Sequence, residues 1–277
     1  MGKTKQQIRD SGLNYKKGLG QNFIYDENLL DALAECAGVT KEDGVLEIGP
    51  GAGTLTKALC RMAKKVVALE IDERLIPLLK GYLSAFDNVS IAHGDVLDAN
   101  LPELTKPLGD NFLVVANIPY YITTPLITLL LDSGLKIKRI AVMVQKEVAD
   151  KILAKPGTEE YGMLSVKCQY HSVPRIAMDV PKECFTPVPK VDSAFVVMDR
   201  RDTPPIEAEE KNFFKTARAA FLMRRKTMAN NLTAAMGLPR EKALEALQAA
   251  GLDERIRGEK LSLEEFARLA NAIDNLS

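Results

Sequence analysis

The sequence predicts an α/β fold: a mainly parallel sheet whose strands alternate with helices, followed by a small all-α domain. Three observations carry this. From Val45 to about Leu153, short apolar runs alternate with stretches at helical spacing, the pattern of a parallel sheet. A glycine-rich turn, Gly49-Pro50-Gly51-Ala52-Gly53, joins the first strand of that series to its helix. Glycines there let the backbone turn tightly and let a ligand come close. Beyond Arg201-Asp202-Thr203-Pro204-Pro205, which reads as a linker, the pattern is helical only.

The elements follow in chain order. Residues 1–20 are polar and basic and are expected to form a flexible N-terminus. Asp26 is placed to cap a helix through Ala37, with Leu29, Leu30, Leu33 and Ala37 at helical spacing. Val45-Leu46-Glu47-Ile48 is the first strand of the alternating series, and Gly53 to Ala63 its helix. Val66-Val67-Ala68-Leu69 ends in Glu70, and Val89-Ser90-Ile91-Ala92 leads to Gly94-Asp95-Val96. Phe112-Leu113-Val114-Val115-Ala116 ends in Asn117-Ile118-Pro119-Tyr120. Thr123-Thr124-Pro125 offers a hydroxyl cap with Pro at an early helical position. Ile140 to Val144 is the fifth strand. Leu164 to His171 and Ile176 to Val180 are β-rich runs. A proline-rich turn at 181–189 precedes the strand Ala194 to Met198. Two late strands without a long helix between them predict an antiparallel hairpin completing the sheet. In the last region Ala243, Leu244, Leu247 and Ala250 share one face, stopped by Gly251, and Ser262-Leu263-Glu264-Glu265 opens a final helix through Ile273 with a capping box. The expected domains are 21–203 and 206–277.

Composition narrows the functional classes. Hydrophobic content of 46% is ample for a packed core. No apolar run approaches the roughly 18 residues that span a bilayer, and Met1 to Gln7 lacks a signal-peptide core, so the expected compartment is the cytoplasm. Cys36, Cys60, Cys168 and Cys184 show no C-x-x-C spacing, and His93 and His171 are the only histidines, so no metal site is expected. The net charge is zero, yet its distribution is uneven. Residues 211–226 hold Lys211, Lys215, Arg218, Arg224, Arg225 and Lys226 with no acid, and residues 1–20 hold five cations against Asp10. Such blocks are either solvated faces or contacts for phosphates; beside a strand end suited to a base, they favour RNA.

The chemistry concentrates at strand ends. Asn117-Ile118-Pro119-Tyr120 puts a side-chain amide, a backbone carbonyl and an aromatic ring at one spot. A flat base with an exocyclic amine needs those three groups: two acceptors for the amine and a face to stack on. Glu70 lies twenty-one positions after Gly49, the distance at which an acidic strand end reaches ribose hydroxyls. An Asp at position 95 is placed to accept from an adenine amino group. A dehydrogenase would carry G-x-G-x-x-G; the chain has G-x-G-x-G instead.

Taken together, Gly49, Gly51, Gly53, Glu70, Asp95 and Asn117 resemble the Rossmann-like S-adenosylmethionine-dependent methyltransferases. At the flanks, Gly18-Leu19-Gly20-Gln21-Asn22-Phe23-Ile24 and Phe185-Thr186-Pro187-Val188-Pro189-Lys190-Val191-Asp192-Ser193 are similar to motifs of the ribosomal RNA adenine N6-dimethyltransferases. Ala220 to Leu232 is similar to the signature of their bacterial small-subunit branch. The likeness spans roughly residues 15 to 275.

That resemblance implies S-adenosylmethionine as methyl donor, bound by Gln21, Asn22, Ile24, Gly49, Gly51, Gly53, Glu70, Ile71, Asp95, Val96 and Asn117. It implies Asn117 and the Ile118 carbonyl as acceptors for the target amine, Pro119 shaping that strand end, and Tyr120 and Phe185 sandwiching the base. Arg218, Arg224, Arg225 and Lys226 are expected to contact RNA. The implied partner is 16S rRNA in the small ribosomal subunit or its precursor, met by a monomer without metal or membrane. Two alternatives stay open here: a large-subunit rRNA methyltransferase of the macrolide-resistance type, and a non-catalytic RNA-binding assembly factor on the same fold.

Overall fold

The computed structural model describes residues 22–276. Nine strands occur in this range: β1 (Phe23–Ile24), β2 (Gly44–Ile48), β3 (Lys65–Glu70), β4 (Val89–His93), β5 (Phe112–Asn117), β6 (Ile137–Gln145), β7 (Ser172–Val180), β8 (Phe185–Thr186) and β9 (Ser193–Arg200). Seven of them form one sheet in the order β4-β3-β2-β5-β6-β9-β7. The neighbours from β4 to β6 pair in parallel, and β9 runs antiparallel to β6. β1 and β8 pair antiparallel as a separate ribbon. The expected α/β class is present, with a mainly parallel sheet extended by the antiparallel β9.

The sheet forms because its central strands are apolar on both faces, as parallel strands covered by helices must be. Every residue of β2 is buried, as are Phe112 to Ala116 of β5. One face gathers Val45, Leu113, Val115, Ala141, Met143, Phe195 and Val197 with Leu33, Leu55 and Leu59. The latter three come from the helices Glu27–Cys36 and Thr54–Met62. Full burial of one such leucine contributes about 1.5–3 kcal/mol. Asp26 caps the first of these helices through the N–H groups of Asn28 and Leu29, as expected. The outer faces of the two helices are tied by Lys57 to Glu27 and Arg61 to Asp31, exposed pairs of small worth.

The described chain divides into two compact units. One holds residues 22–149 and Val173–Arg200; the other holds Asp150–Ser172 and residues 201–276. The helical unit thus takes in residues 150–172, which precede the linker, as well as the chain after Arg200. That unit contains the helices Met163–His171, Glu210–Ala220, Met228–Met236, Arg240–Ala249 and Leu263–Asn275. Its core includes Tyr161, Val166, Tyr170, Phe213, Leu232, Leu247 and Phe266. Tyr170 stacks on Phe213 with ring centroids 4.9 Å apart.

Two local expectations are corrected. Leu164 to His171 is helical, not β-rich. The run alternates apolar and polar residues, which mimics a strand, but Val166 and Tyr170, four apart, both enter the helical unit's core. The Gln169 side chain donates to the Ile152 and Ala154 carbonyls at 3.1 and 2.9 Å, closing the end of the preceding helix. Thr123 does not cap the helix Thr123–Asp132. A 3₁₀ turn, Tyr120–Ile122, leads straight into it, and the buried Thr123 hydroxyl meets no partner among the described residues. The capping box at Ser262 and Glu265 forms as read.

Candidate active site

The strand order reverses between β2 and β5, and the carboxyl ends of parallel strands at such a point make a ligand crevice. A cleft of about 1100 Å³, including its open mouth, lies there. Its walls come from the ends of β2, β3, β4 and β5 together with Asn22, Phe23 and Ile24. The structure therefore brings together Asn22, Ile24, Gly49, Gly51, Glu70, Ile71, Asp95, Val96, Asn117, Ile118, Pro119 and Tyr120. Gln21 lies outside the described residues.

The β2 turn is held by an acid from the next strand. Glu70 is almost wholly buried, and its two oxygens accept the N–H groups of Gly51 (2.9 Å) and Asp72 (2.8 Å). Each oxygen keeps a lone pair for a further donor. Burial pushes the Glu70 carboxyl above its ordinary range, and these two N–H bonds pull it back. Gly51 has φ +55°, and a Cβ there would meet the Phe23 ring at 2.5 Å, so only glycine lets that ring cover the turn. Gly53 does not line the cleft. It starts the helix Thr54–Met62 at φ +78°, where a Cβ would press on Leu79 and Tyr82.

Asn117 ends β5, half-buried. Its amide nitrogen donates to the Asn22 carbonyl at 3.1 Å, so the amide oxygen is the group left to accept. Ile118 behind it is buried, and the Tyr120 hydroxyl meets Ser193 Oγ at 2.8 Å. Burial pushes the Tyr120 phenol up, with the Ser193 contact acting the other way. At the next strand end one Asp95 oxygen accepts the Leu97 N–H at 2.9 Å, turning the chain along the cleft. His93 lies outside the lining; its Nε2 is 3.2 Å from the Ile71 carbonyl.

The expected place of Phe185 is corrected. Its ring is 1% exposed and packs in the apolar cluster with Ile24, Val180 and Phe195, outside the cleft lining. Apolar burial wins because β8 pairs with β1, setting Phe185 opposite Ile24. The proline-rich segment thus fastens the strand that carries Phe23 and Ile24 against the cleft.

Sequence reasoning missed Glu47 as a site residue. It lines the cleft from the end of β2, is 1% exposed, and its Oε2 has no hydrogen-bond partner among the described residues. Burial pushes its carboxyl up to about 8, the neighbouring Thr56 hydroxyl offsetting part of this and Glu70 adding to it. The signal was a lone acid inside an otherwise apolar strand. Tyr121 and Leu97, both exposed at the rim, were also missed. No group of three His, Cys, Asp or Glu able to hold a metal occurs among the described residues.

The expected RNA contacts sit in the helical unit. Arg218 is exposed on the helix Glu210–Ala220, and Arg224, Arg225 and Lys226 are exposed in the loop after it. That loop is fixed from inside: buried Asn231 donates to the Ala220 and Met223 carbonyls at 2.9 and 3.3 Å. Arg224 donates to the Glu159 carbonyl at 2.5 Å. Among the described residues no helix is long and apolar enough to cross a membrane.

Comparison with known proteins agrees with this geometry. The ribosomal RNA adenine dimethylase family matches residues 12–275. The chain is 47% identical to ribosomal RNA small subunit methyltransferase A of Geobacillus thermodenitrificans, covering 98% of this chain and 95% of that protein. It is 48% identical to the protein of the same name from Bacillus pumilus, with the same coverage. Among solved structures, a dimethyladenosine transferase from Plasmodium falciparum superposes with a TM-score of 0.76 at 26% identity, over 89% of this chain and 95% of that one. The 23S rRNA methyltransferase ErmE does so at 0.70 and 29%, over 91% and 99%. The chain belongs to the ribosomal RNA adenine dimethylase family.

Proposed function

We propose, from that family membership, that this protein transfers methyl groups from S-adenosylmethionine to N6 of two adjacent adenosines near the 3′ end of 16S rRNA. The product is N6,N6-dimethyladenosine, made during small-subunit biogenesis in the cytoplasm by a monomer. Residues 21–203 would carry the chemistry and 206–277 the rRNA contact. The observation that carries the reading is the Asn117 amide, whose nitrogen is held by the Asn22 carbonyl, leaving an acceptor at the cleft.

The cleft suits the donor. Glu47 presents a buried carboxyl oxygen that meets no hydrogen-bond partner among the described residues, a place for a polar or cationic ligand group. Glu70 has acceptor capacity for ribose hydroxyls and Asp95 for an adenine amine. Ile71 and Val96 would add apolar contact beside them, and Asn22, Ile24, Gly49 and Gly51, which also line the cleft, would hold the methionine end. Bound there, S-adenosylmethionine supplies an electrophilic methyl on its sulfonium.

An adenine N6 amine is a poor nucleophile because its lone pair is delocalised into the ring. The Asn117 side-chain oxygen and the Ile118 carbonyl accept its hydrogens and favour a pyramidal nitrogen. Positive charge develops on that amine during transfer, so fixed acceptors aid the transition state more than the ground state. Tyr120 offers one ring face to the base, a stack worth about 1–3 kcal/mol. The target must leave its own stack to enter. Each transfer leaves the nitrogen positively charged and it releases a proton to solvent, so the second proceeds with one amine hydrogen and one acceptor bond fewer.

Mass spectrometry of 16S rRNA from a deletion strain, with and without the restored gene, tests this. Loss of dimethyladenosine at both positions is expected, restored by the gene. Unchanged 16S rRNA with altered 23S rRNA would move the activity to the large subunit.

A further inference from the structure

The segment that begins at Phe185 ends at Ser193, which touches a residue of the cleft wall. Ser193 is the first residue of β9, is 1% exposed, and pairs with Gln145 at the end of β6. Its surroundings are pinned: the Lys146 N–H donates to the Asp192 carbonyl at 3.1 Å, and the Lys182 N–H to the Asp192 carboxylate at 3.0 Å. From this anchor its hydroxyl meets the hydroxyl of Tyr120 at 2.8 Å.

Tyr120 needs such an anchor. It begins a three-residue 3₁₀ turn, Tyr120–Ile122, and its ring is only half-buried. A tyrosine ring on a short turn can swing about two side-chain torsions. A base to be methylated must instead lie in one plane, since misplacement by about 1 Å can cost on the order of 10²-fold in rate.

We propose that Ser193 is a positioning residue for methyl transfer: it holds the Tyr120 hydroxyl so that the ring keeps the plane in which it receives the target base. This rests on the reading of the cleft as an adenine N6-methyltransferase site. It gives the Phe185–Ser193 segment two structural tasks, Phe185 fastening β1 from the core and Ser193 orienting Tyr120. The Tyr120 phenol stays protonated at neutral pH, its burial pushing the pKa up, so a proton is available for the shared bond.

The test is a double-mutant cycle on the full chain. Ser193→Ala and Tyr120→Phe each remove one half of the bond. Methyl transfer to small-subunit particles is followed in single turnover with S-adenosylmethionine saturating. Each variant is expected to slow transfer by roughly three- to tenfold, the worth of one hydrogen bond. The double variant should be no slower than the worse single one, because the second change removes nothing further. Ser193→Thr, which keeps a hydroxyl, should restore most of the rate, and cofactor affinity should stay constant in all of them. Losses that multiply, or a Tyr120→Phe protein transferring at the wild-type rate, would overturn the proposal. If Ser193→Ala fails to fold, Tyr120→Phe alone still decides, since it deletes the same bond without entering the core. A wild-type protein that methylates no small-subunit RNA would instead overturn the reading beneath it.

Discussion

The cleft of the α/β unit and the basic loop of the helical unit solve opposite problems. In the cleft, polar groups are sparse, wholly or partly buried, and individually held: Glu70 by Gly51 and Asp72, Asn117 by Asn22, Tyr120 by Ser193. In the loop, Arg225 and Lys226 are exposed, and the order comes from a neutral residue behind them, Asn231. Methyl transfer needs fixed angles in a place where water does not compete. Attraction to phosphate needs only charge at a surface. Damage to the cleft should therefore appear in rate and cofactor affinity at any salt concentration, and damage to the loop mainly in a salt-dependent affinity for RNA.

The sharpest way to break this contrast is Asn117→Ala. It removes the amide acceptor, and loss of such a partner typically costs about 10²–10³ in rate. Cofactor affinity should stay within a few fold. Single-turnover transfer at near wild-type speed would mean that the acceptor lies elsewhere. Next in size is Glu70. Removing a charge-assisted acceptor should weaken S-adenosylmethionine by about 1.5–3 kcal/mol, read by calorimetry. Because Glu70→Ala also strips the partner from the buried Gly51 and Asp72 N–H groups, it should lower the melting temperature as well. Glu70→Gln keeps one acceptor oxygen and separates the two effects: it should melt closer to wild type while still binding the cofactor weakly.

Glu70 shows where the sequence stops speaking. The spacing from Gly49 to Glu70 placed the acid at the right strand end, because strand and helix lengths fix that distance. It could not reveal that both oxygens are already engaged by backbone N–H groups, which depends on how the turn closes. Asn117 and Tyr120 were legible because a strand ending in a turn exposes the side chains just beyond its tip. Phe185 was misplaced because a motif gives neighbours along the chain, while burial is decided by the pairing of β8 with β1. Leu164 to His171 went wrong for a related reason: alternation is a local signal, and the core of the helical unit overrode it. Glu47 was visible as an acid in an apolar strand but carried no pattern that named its partner.

Glu47 offers a test within the cleft that the loop cannot imitate. Its carboxyl, pushed up to about 8 from an ordinary 4.5, is protonated in the folded protein at neutral pH and ionised in the unfolded chain. The stability it confers is present below its unfolded value and is lost as pH rises toward about 8. Glu47→Gln keeps the shape and removes the titration. Between those limits the stability of the variant should fall less steeply with pH, by up to about 1.4 kcal/mol per pH unit. Denaturant unfolding without cofactor across that range measures it. Parallel curves for the two proteins would place the Glu47 proton outside the folding equilibrium.

The smallest effect, and the one that defines the other side of the comparison, belongs to the basic loop. Replacing Arg224, Arg225 and Lys226 together by Ala should flatten the salt dependence of binding to small-subunit RNA by roughly 0.7 for each phosphate no longer neutralised, for single strands. S-adenosylmethionine affinity should not move. Arg224 complicates the triple change, because it donates to the Glu159 carbonyl and its removal can loosen the loop without touching RNA. The pair Arg225→Ala with Lys226→Ala removes exposed charge alone, and with Asn231 still gripping the loop its melting curve should overlay the wild type. If that pair carries most of the slope change, the loop acts through charge. If only the triple variant does, and it melts early, the effect runs through the fold, and the contrast between a built cleft and a merely charged surface fails at this site. A well-folded triple variant with an unchanged slope would make the block a solvated face and pass the RNA contact to the cations of residues 1–20.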